Sequence, residues 1–150
     1  MIHIRIAEPA DQSKICSLFE QMLKSIYHTD AVQGYETGYL DAFWSGGENR
    51  IYVAEDEEVR AFLSIEVHRE NEPYLYLDDF SVAEAYRNKG IGTELLKTAE
   101  HYAKELGIPS ILLHVETTNE AALRFYERAG YSKCTDDGTR YVLQKKKIKR

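Results

Sequence analysis

Ile2, Ile4 and Ile6 alternate with His3 and Arg5, the period of a strand buried on one face. From Pro9 the period changes. Pro9 suits the first turn of a helix, Asp11 complements its positive end, and Ile15, Leu18, Phe19, Met22, Leu23 and Ile26 recur as one apolar stripe. Residues 27–49 lose that regularity, since Tyr27, Tyr35, Tyr39, Phe43 and Trp44 are interrupted by Gly34, Gly38, Gly46 and Gly47. They predict a short helix within a mobile connection, either a lid over a site or a surface helix covering one sheet edge. Ile51 to Ala54, then Val59, Ala61, Leu63, Ile65 and Val67, predict a hairpin around the acidic turn Glu55-Asp56-Glu57-Glu58.

After Asn71-Glu72-Pro73 the chain enters Tyr74-Leu75-Tyr76-Leu77-Asp78-Asp79-Phe80-Ser81-Val82, a strand with two acids near its centre. A helix is predicted from about Gly90, with Ile91, Leu95, Ala99, Tyr102, Ala103 and Leu106 inward, Gly107 at its C-cap and Pro109 preventing continuation. Ser110 to Val115 reads as a short buried strand. Thr117 and Glu120 form a capping-box pattern for a further helix, with Ala122, Phe125, Tyr126 and Ala129 on one face and Gly130 closing it. Two strands near Tyr131–Cys134 and Arg140–Leu143 then flank the turn Asp136-Asp137-Gly138. The order βα(α)βββαβαββ predicts an α/β (α+β) fold: a mixed, mostly antiparallel central sheet of about seven strands, flanked by helices on both faces.

A length of 150 residues suits one domain, 1–150, that folds without metal or disulfide staples. Cys16 and Cys134 stand far apart with no neighbouring Cys or clustered His, so they read as buried thiols, and no metal site is expected. No apolar run is long enough to span a membrane and the amino terminus lacks a signal-peptide pattern, so a soluble, cytoplasmic protein is expected. The net charge is −6, yet residues 145–150 carry five positive charges; without this basic tail the body stands at −11. Such a body disfavours nucleic acid and favours a cationic small molecule, while the tail reads as a solvated end.

The segment Arg87-Asn88-Lys89-Gly90-Ile91-Gly92-Thr93 lies between a strand and a strongly periodic helix. Glycines at a helix start let backbone N–H groups crowd inward, and the unsatisfied donors form an anion site suited to phosphate. The loop is neither a Walker A sequence nor the dinucleotide fingerprint. Asp78-Asp79-Phe80-Ser81-Val82 running into Tyr86-Arg87-Asn88-Lys89-Gly90-Ile91-Gly92, followed by Asn119-Glu120-Ala121-Ala122-Leu123-Arg124-Phe125-Tyr126-Glu127-Arg128-Ala129-Gly130-Tyr131, resembles the two main motifs of the GNAT superfamily of acyl-CoA-dependent N-acetyltransferases. The order of elements is similar across essentially the whole chain.

The resemblance implies acetyl-CoA as acyl donor. Arg87, Asn88, Lys89, Gly90, Gly92 and Thr93 would cradle its pyrophosphate. The main chain of Phe80 and Val82 would pair with the pantetheine arm, Asn119 would hydrogen-bond the arm, and Tyr126 would be both cofactor contact and general acid. A thioester is already activated, so a bound, neutral amine attacks directly and the enzyme is left with proton handling. Candidate acids are Glu66, Asp78, Asp79 and Glu116. Asp78 is the expected base, with Asp79 and Glu116 as substrate contacts alongside Tyr39 and Trp44; Glu116 is the runner-up base. Polyamine and thialysine acetyltransferases of the superfamily show Glu-Asp where this chain has Asp78-Asp79, which carries their substrates over only weakly. His101 and His114 read as structural.

The expected reaction is acetyl transfer to a primary amine of a small cationic acceptor. The alternatives are acetylation of a protein or peptide, and a non-catalytic acyl-CoA-binding module, which would retain Gly90 and Gly92 but could dispense with Tyr126 and the acids. The family habit of pairing through sheet edges or helices implies a homodimer.

Overall fold

The computed structural model describes residues 1–146; all but the first two residues of the expected basic tail lie outside them. Seven strands form one sheet in the order β1-β2-β3-β4-β5-β7-β6. They are β1 (His3–Ile6), β2 (Arg50–Asp56), β3 (Glu58–His68), β4 (Tyr74–Val82), β5 (Ile111–Glu116), β6 (Ser132–Asp136) and β7 (Arg140–Lys145). The helices are α1 (Gln12–Tyr27), α2 (Ile91–Leu106) and α3 (Glu120–Arg128). Strand β4 pairs with β5 in parallel, with Tyr76 opposite Leu112 and Leu77 opposite Leu113, and α2 is the crossover between them. The β1–β2, β5–β7 and β6–β7 ladders are antiparallel.

The chain divides into two compact units, Met1–Ser64 with Asp79–Leu95, and Ile65–Asp78 with Leu96 onward. In the first, Ile15 and Leu18 of α1 pack with Ile51, Val53, Val59 and Phe62 of the strands. The predicted α1 stripe is buried only in its first half, and Ile26 is exposed. The connection over 28–49 contains a single short 3-10 turn, Tyr39–Phe43. It is pinned to the core: Leu40 is buried, Phe43 and Trp44 pack beside it, and the Trp44 indole N–H donates to Gln12 Oε1 at 3.0 Å. Asp11 meets the expectation of an acid at the start of α1, but its carboxylate is held by both guanidinium nitrogens of Arg5, at 2.8 and 2.9 Å, which keeps its pKa low.

In the second unit the core is Leu75, Leu77, Ile111, Leu113, Val115 and Leu143 of the strands with Leu96, Ala99, Tyr102 and Ala103 of α2. Gly107 closes α2 at φ 71°, where Ile108 N–H reaches the Ala103 carbonyl at 2.9 Å and Gly107 N–H reaches that of Lys104 at 3.1 Å. That is the pattern of a Schellman cap, and the left-handed angle favours glycine.

Three local expectations need correction. The cap of α3 is Asn119, whose Oδ1 accepts from Ala122 N–H at 3.2 Å, because Thr117 N–H is already taken by the Thr139 carbonyl and a turn from Glu116 to Asn119 delays the helix. Asn119→Ala should therefore cost about 1 kcal/mol of stability in urea unfolding, the usual worth of such a cap. Cys134 is exposed, since every residue of β6 lies open at the end of the sheet, and Cys16 is only half-buried. Lys145 is no part of a solvated tail: it ends β7, and its ammonium bonds Glu100 at 3.1 Å and the Ala129 carbonyl at 2.8 Å. Among the described residues no helix is long and apolar enough to cross a membrane.

Candidate active site

The glycine loop lies in the first unit. Strand β4 ends at Val82, Ala83 N–H is held by the Arg60 carbonyl of β3 at 2.8 Å, and a 3-10 turn over Glu84–Tyr86 leads into the loop. Asn88 (φ 61°) and Gly90 (φ 83°) are both left-handed, and asparagine and glycine are the residues that tolerate that region best. Glu94 N–H reaches the Gly90 carbonyl at 3.1 Å, as the fourth residue of α2 should. The amides of Gly90, Ile91, Gly92 and Thr93 thus form the set that a helix start leaves without intrahelical acceptors. A Cβ built on Gly90 would meet nothing within 4 Å, so the space beside this loop is open.

The loop's cations are partly committed. Arg87 Nε donates to the Val82 carbonyl at 3.0 Å, which fixes the end of β4, and the Lys89 ammonium lies 5.5 Å from the centre of the Tyr86 ring. Phe80 and Val82 are half-buried.

Asp79 also belongs to this unit. Its Oδ2 accepts from the Tyr35 hydroxyl at 2.6 Å, and its backbone N–H donates to Ser64 Oγ at 2.9 Å. Tyr35 stacks on Phe19 at 3.9 Å and on Tyr39 at 4.8 Å, its ring nearly parallel to both. The predicted contacts Asp79 and Tyr39 therefore share one aromatic and acidic corner. Trp44 is tied to Gln12 as described. Tyr35 is the member that sequence reading did not single out; its link to Asp79 joins residues 44 positions apart, and only the packing of 28–49 on α1 makes it.

Asp78, Glu66, Glu116, Asn119 and Tyr126 belong to the second unit. The burial of Leu75 and Leu77 places Tyr74, Tyr76 and Asp78 on the opposite face of β4. Glu116 ends β5 opposite Arg140 of β7, and Glu66 accepts from or pairs with His68 Nε2 at 3.0 Å. His101 meets Glu105 one turn on in α2 at 3.1 Å.

Tyr126 is positioned by the end of its own helix. Gly130, at φ 98°, lets Tyr131 N–H return to the Tyr126 carbonyl at 3.0 Å and Gly130 N–H to that of Glu127 at 3.0 Å, a second Schellman cap. The apolar contact that accompanies such caps is here the edge-on packing of the Tyr126 and Tyr131 rings, centroids 5.9 Å apart, with Phe125 at 5.1 Å on the other side. Tyr131 is buried, its hydroxyl 3.5 Å from Glu100 Oε2. Burial pushes the Tyr126 hydroxyl's pKa above that of a free tyrosine, so it holds its proton throughout the neutral range.

One further pair was missed. The Tyr76 hydroxyl lies 2.6 Å from His114 Nδ1, with the rings edge-on at 5.5 Å. The signal was in the strand period, since Tyr76 precedes Asp78 by two residues as His114 precedes Glu116, but only the β4–β5 register brings the two together. A shallow cavity of about 630 Å³ beside Pro73, Tyr74, Leu112 and Gln144 contains none of the predicted site residues.

Residues 19–131 match the Acetyltransferase (GNAT) family, and the chain belongs to it. It is 29% identical to YwnH of Bacillus subtilis (strain 168), provisionally named a phosphinothricin acetyltransferase, over 94% of each chain. Among solved structures it is similar to the PaiA N-acetyltransferase of Thermoplasma acidophilum in complex with coenzyme A, with a TM-score of 0.80 at 20% identity over 97% of this chain and 99% of that one. The ribosomal-protein-S18-alanine N-acetyltransferase of Escherichia coli gives a TM-score of 0.76 at 18% identity over 98% and 94%. The protein is an acetyltransferase of the GNAT family; two curated proteins it is similar to over part of their length carry the names of a streptothricin acetyltransferase and an N-alpha-acetyltransferase.

Proposed function

We propose that the enzyme transfers the acetyl group of acetyl-CoA to the primary amine of a small cationic acceptor. The observation that carries this reading is the corner made by Asp79, Tyr35 and Tyr39. A carboxylate fixed by a tyrosine hydroxyl, next to a ring that is 42% exposed, attracts a cation by both charge and π-face. The net charge of −10 over residues 1–145 acts in the same direction at longer range. Asp78 would take the proton that the acceptor amine loses, with Glu116 as the runner-up base and a substrate contact, and Trp44 would be a further acceptor contact.

The glycine loop fits the donor. The first amides of α2 have no intrahelical acceptors, Gly90 leaves open the space that a side chain would take, and Arg87 and Lys89 supply positive charge. Acetyl-CoA, when bound, supplies an activated thioester. Phe80 and Val82 would hold its arm through their main chain and Asn119 through its side-chain amide, while Tyr126 would give a proton to the departing sulfur. The proposal includes a cytoplasmic site of action, which two free thiols suit, and pairing of two copies, which the exposed strand β6 favours.

The test is a panel of small diamines, polyamines and amino-acid amines set against peptides with free amino termini, with thiol release from acetyl-CoA as the readout. We expect kcat/KM for the best small amine to exceed that for any peptide by about tenfold or more, a margin that one or two extra charge contacts supply. Turnover of peptides alone would overturn the acceptor assignment.

A further inference from the structure

A lysine carries its ammonium on a flexible stem, and ordering that stem costs rotamer freedom. Such a lysine binds a diphosphate more tightly when the protein has restricted the stem beforehand. In the first unit the restricting group is Tyr86, the last residue of the 3-10 turn before the glycine loop. Arg87 is extended (φ −72°, ψ 156°) and Asn88 is left-handed (φ 61°). An extended residue followed by a left-handed one makes a type II turn, which favours asparagine or glycine at the second place and brings its first and fourth residues together. Here those residues are Tyr86 and Lys89. The ring of Tyr86 lies 5.5 Å from the Lys89 ammonium and 4.8 Å from the Arg60 guanidinium carbon, both within the ~6 Å reach of a cation–π contact.

The ring is itself held from several sides. Tyr86 N–H donates to the Ala83 carbonyl at 2.8 Å, and Ala83 N–H donates to the Arg60 carbonyl of β3 at 2.8 Å, which ties the turn to the sheet. The Tyr86 hydroxyl donates to Asp56 Oδ2 at the end of β2, at 3.4 Å. Arg60 Nε donates to the Asp56 carbonyl at 3.0 Å, and Arg60 Nη1 pairs with Glu58 at 3.3 Å, so the guanidinium is fixed beside the ring. Glu58 in turn meets Lys14 of α1. Tyr86 is half-buried, whereas Lys89 is exposed. In a contact between a clamped ring and an exposed lysine, it is the ring that restricts the lysine.

We propose that Tyr86 is a positioning residue of the donor site: its ring, clamped by Arg60 and Asp56, keeps the Lys89 ammonium at the front of the loop that opens α2, in place for the diphosphate of acetyl-CoA. Tyr86 acts through Lys89 and not on the cofactor itself. Lys89 stands one residue before Gly90, so its charge adds to that of the amides that follow. The network also joins the donor loop to the β2–β3 turn and to α1, through Asp56, Arg60, Glu58 and Lys14.

The inference rests on the reading of the glycine loop as the diphosphate site and is independent of the acceptor. Tyr86→Leu should raise the dissociation constant for acetyl-CoA about fivefold in calorimetric titration, the worth of an exposed cation–π contact. KM for acetyl-CoA should rise by the same factor, with kcat at saturating acetyl-CoA unchanged. Tyr86→Phe keeps the ring, and it should bind within about twofold of the parent although it loses the bond to Asp56. Lys89→Met should weaken binding about tenfold, as loss of a hydrogen bond to a charged group does, and in that background Tyr86→Leu should add nothing. Thermal unfolding checks that each variant is folded, and Tyr86→Met, which fills the same place with a longer chain, serves if the leucine variant is not. Unchanged affinity in a folded Tyr86→Leu, a phenylalanine variant as weak as the leucine one, or the same loss with Lys or Met at position 89 would each overturn the assignment. If Lys89→Met itself binds acetyl-CoA as the parent does, the reading of the loop fails and the role of Tyr86 with it; if Lys89→Met binds weakly while Tyr86→Leu does not, the loop stands and only the positioning role falls.

Discussion

The double variant Gly90→Val/Gly92→Val should bind acetyl-CoA at least about 100-fold more weakly than the parent while remaining folded. Two hydrogen bonds to a charged phosphate are worth about 1.5–3 kcal/mol each, and every 1.4 kcal/mol is tenfold in affinity, so loss of their approach accounts for the effect. Gly90 lies at φ 83° with open space beyond its α-carbon, so a valine there would project a branched side chain into the proposed phosphate site. The same angle costs an L-residue roughly 1–2 kcal/mol, so the double variant will melt somewhat earlier. Gly92→Ala separates the two effects. Within the first turn of α2, alanine gains up to about 1 kcal/mol of helix stability over glycine, yet its methyl group narrows the approach to the amides. A protein that melts later and binds acetyl-CoA more weakly would locate the loss in the cradle. Calorimetric titration beside thermal unfolding reads both, and an unchanged dissociation constant in the folded double variant would remove the loop from the site.

What the sequence made legible was what local period and local caps determine. The β4 alternation, the stripe of α2 and its Gly107 cap, and the glycine turn between them are each written within a dozen residues. The Gly130 cap that orients Tyr126 is equally local. Long-range pairing was not legible: Tyr35 reaches Asp79 across 44 positions and Tyr76 reaches His114 across 38, and neither spacing has a local signature. Competition between nearby signals explains other differences. Thr117 and Asn119 both offer caps to α3, and the bond from Thr117 N–H to Thr139 in the β6–β7 turn, 22 residues on, decides between them. Cys134 follows a strand pattern that says nothing of its neighbours, and β6 proves to have one on a single side only.

Tyr126→Phe should lower kcat about 100-fold and leave KM for acetyl-CoA nearly unchanged. The substitution keeps the ring that packs against Tyr131 and Phe125 and removes only the hydroxyl, so the Schellman cap and α3 stay in place. General-acid assistance spans about 10²- to 10⁴-fold, and a thiol with a pKa near 8.5 leaves tolerably as the anion, which puts the expected loss at the low end. Equal falls in kcat and kcat/KM for acetyl-CoA would mark an interaction made only as the carbon–sulfur bond breaks. The pH profile adds a second check. Because burial raises the Tyr126 pKa above the ordinary ~10, the protonated form persists through neutral and mildly alkaline solution. The wild type should accordingly show no alkaline fall in kcat from this group below about pH 10, whereas an ordinary, solvated tyrosine would begin to lose its proton there. Measured on an acceptor for which chemistry limits turnover, an unaltered kcat in Tyr126→Phe would leave this ring with only its packing role at the end of α3.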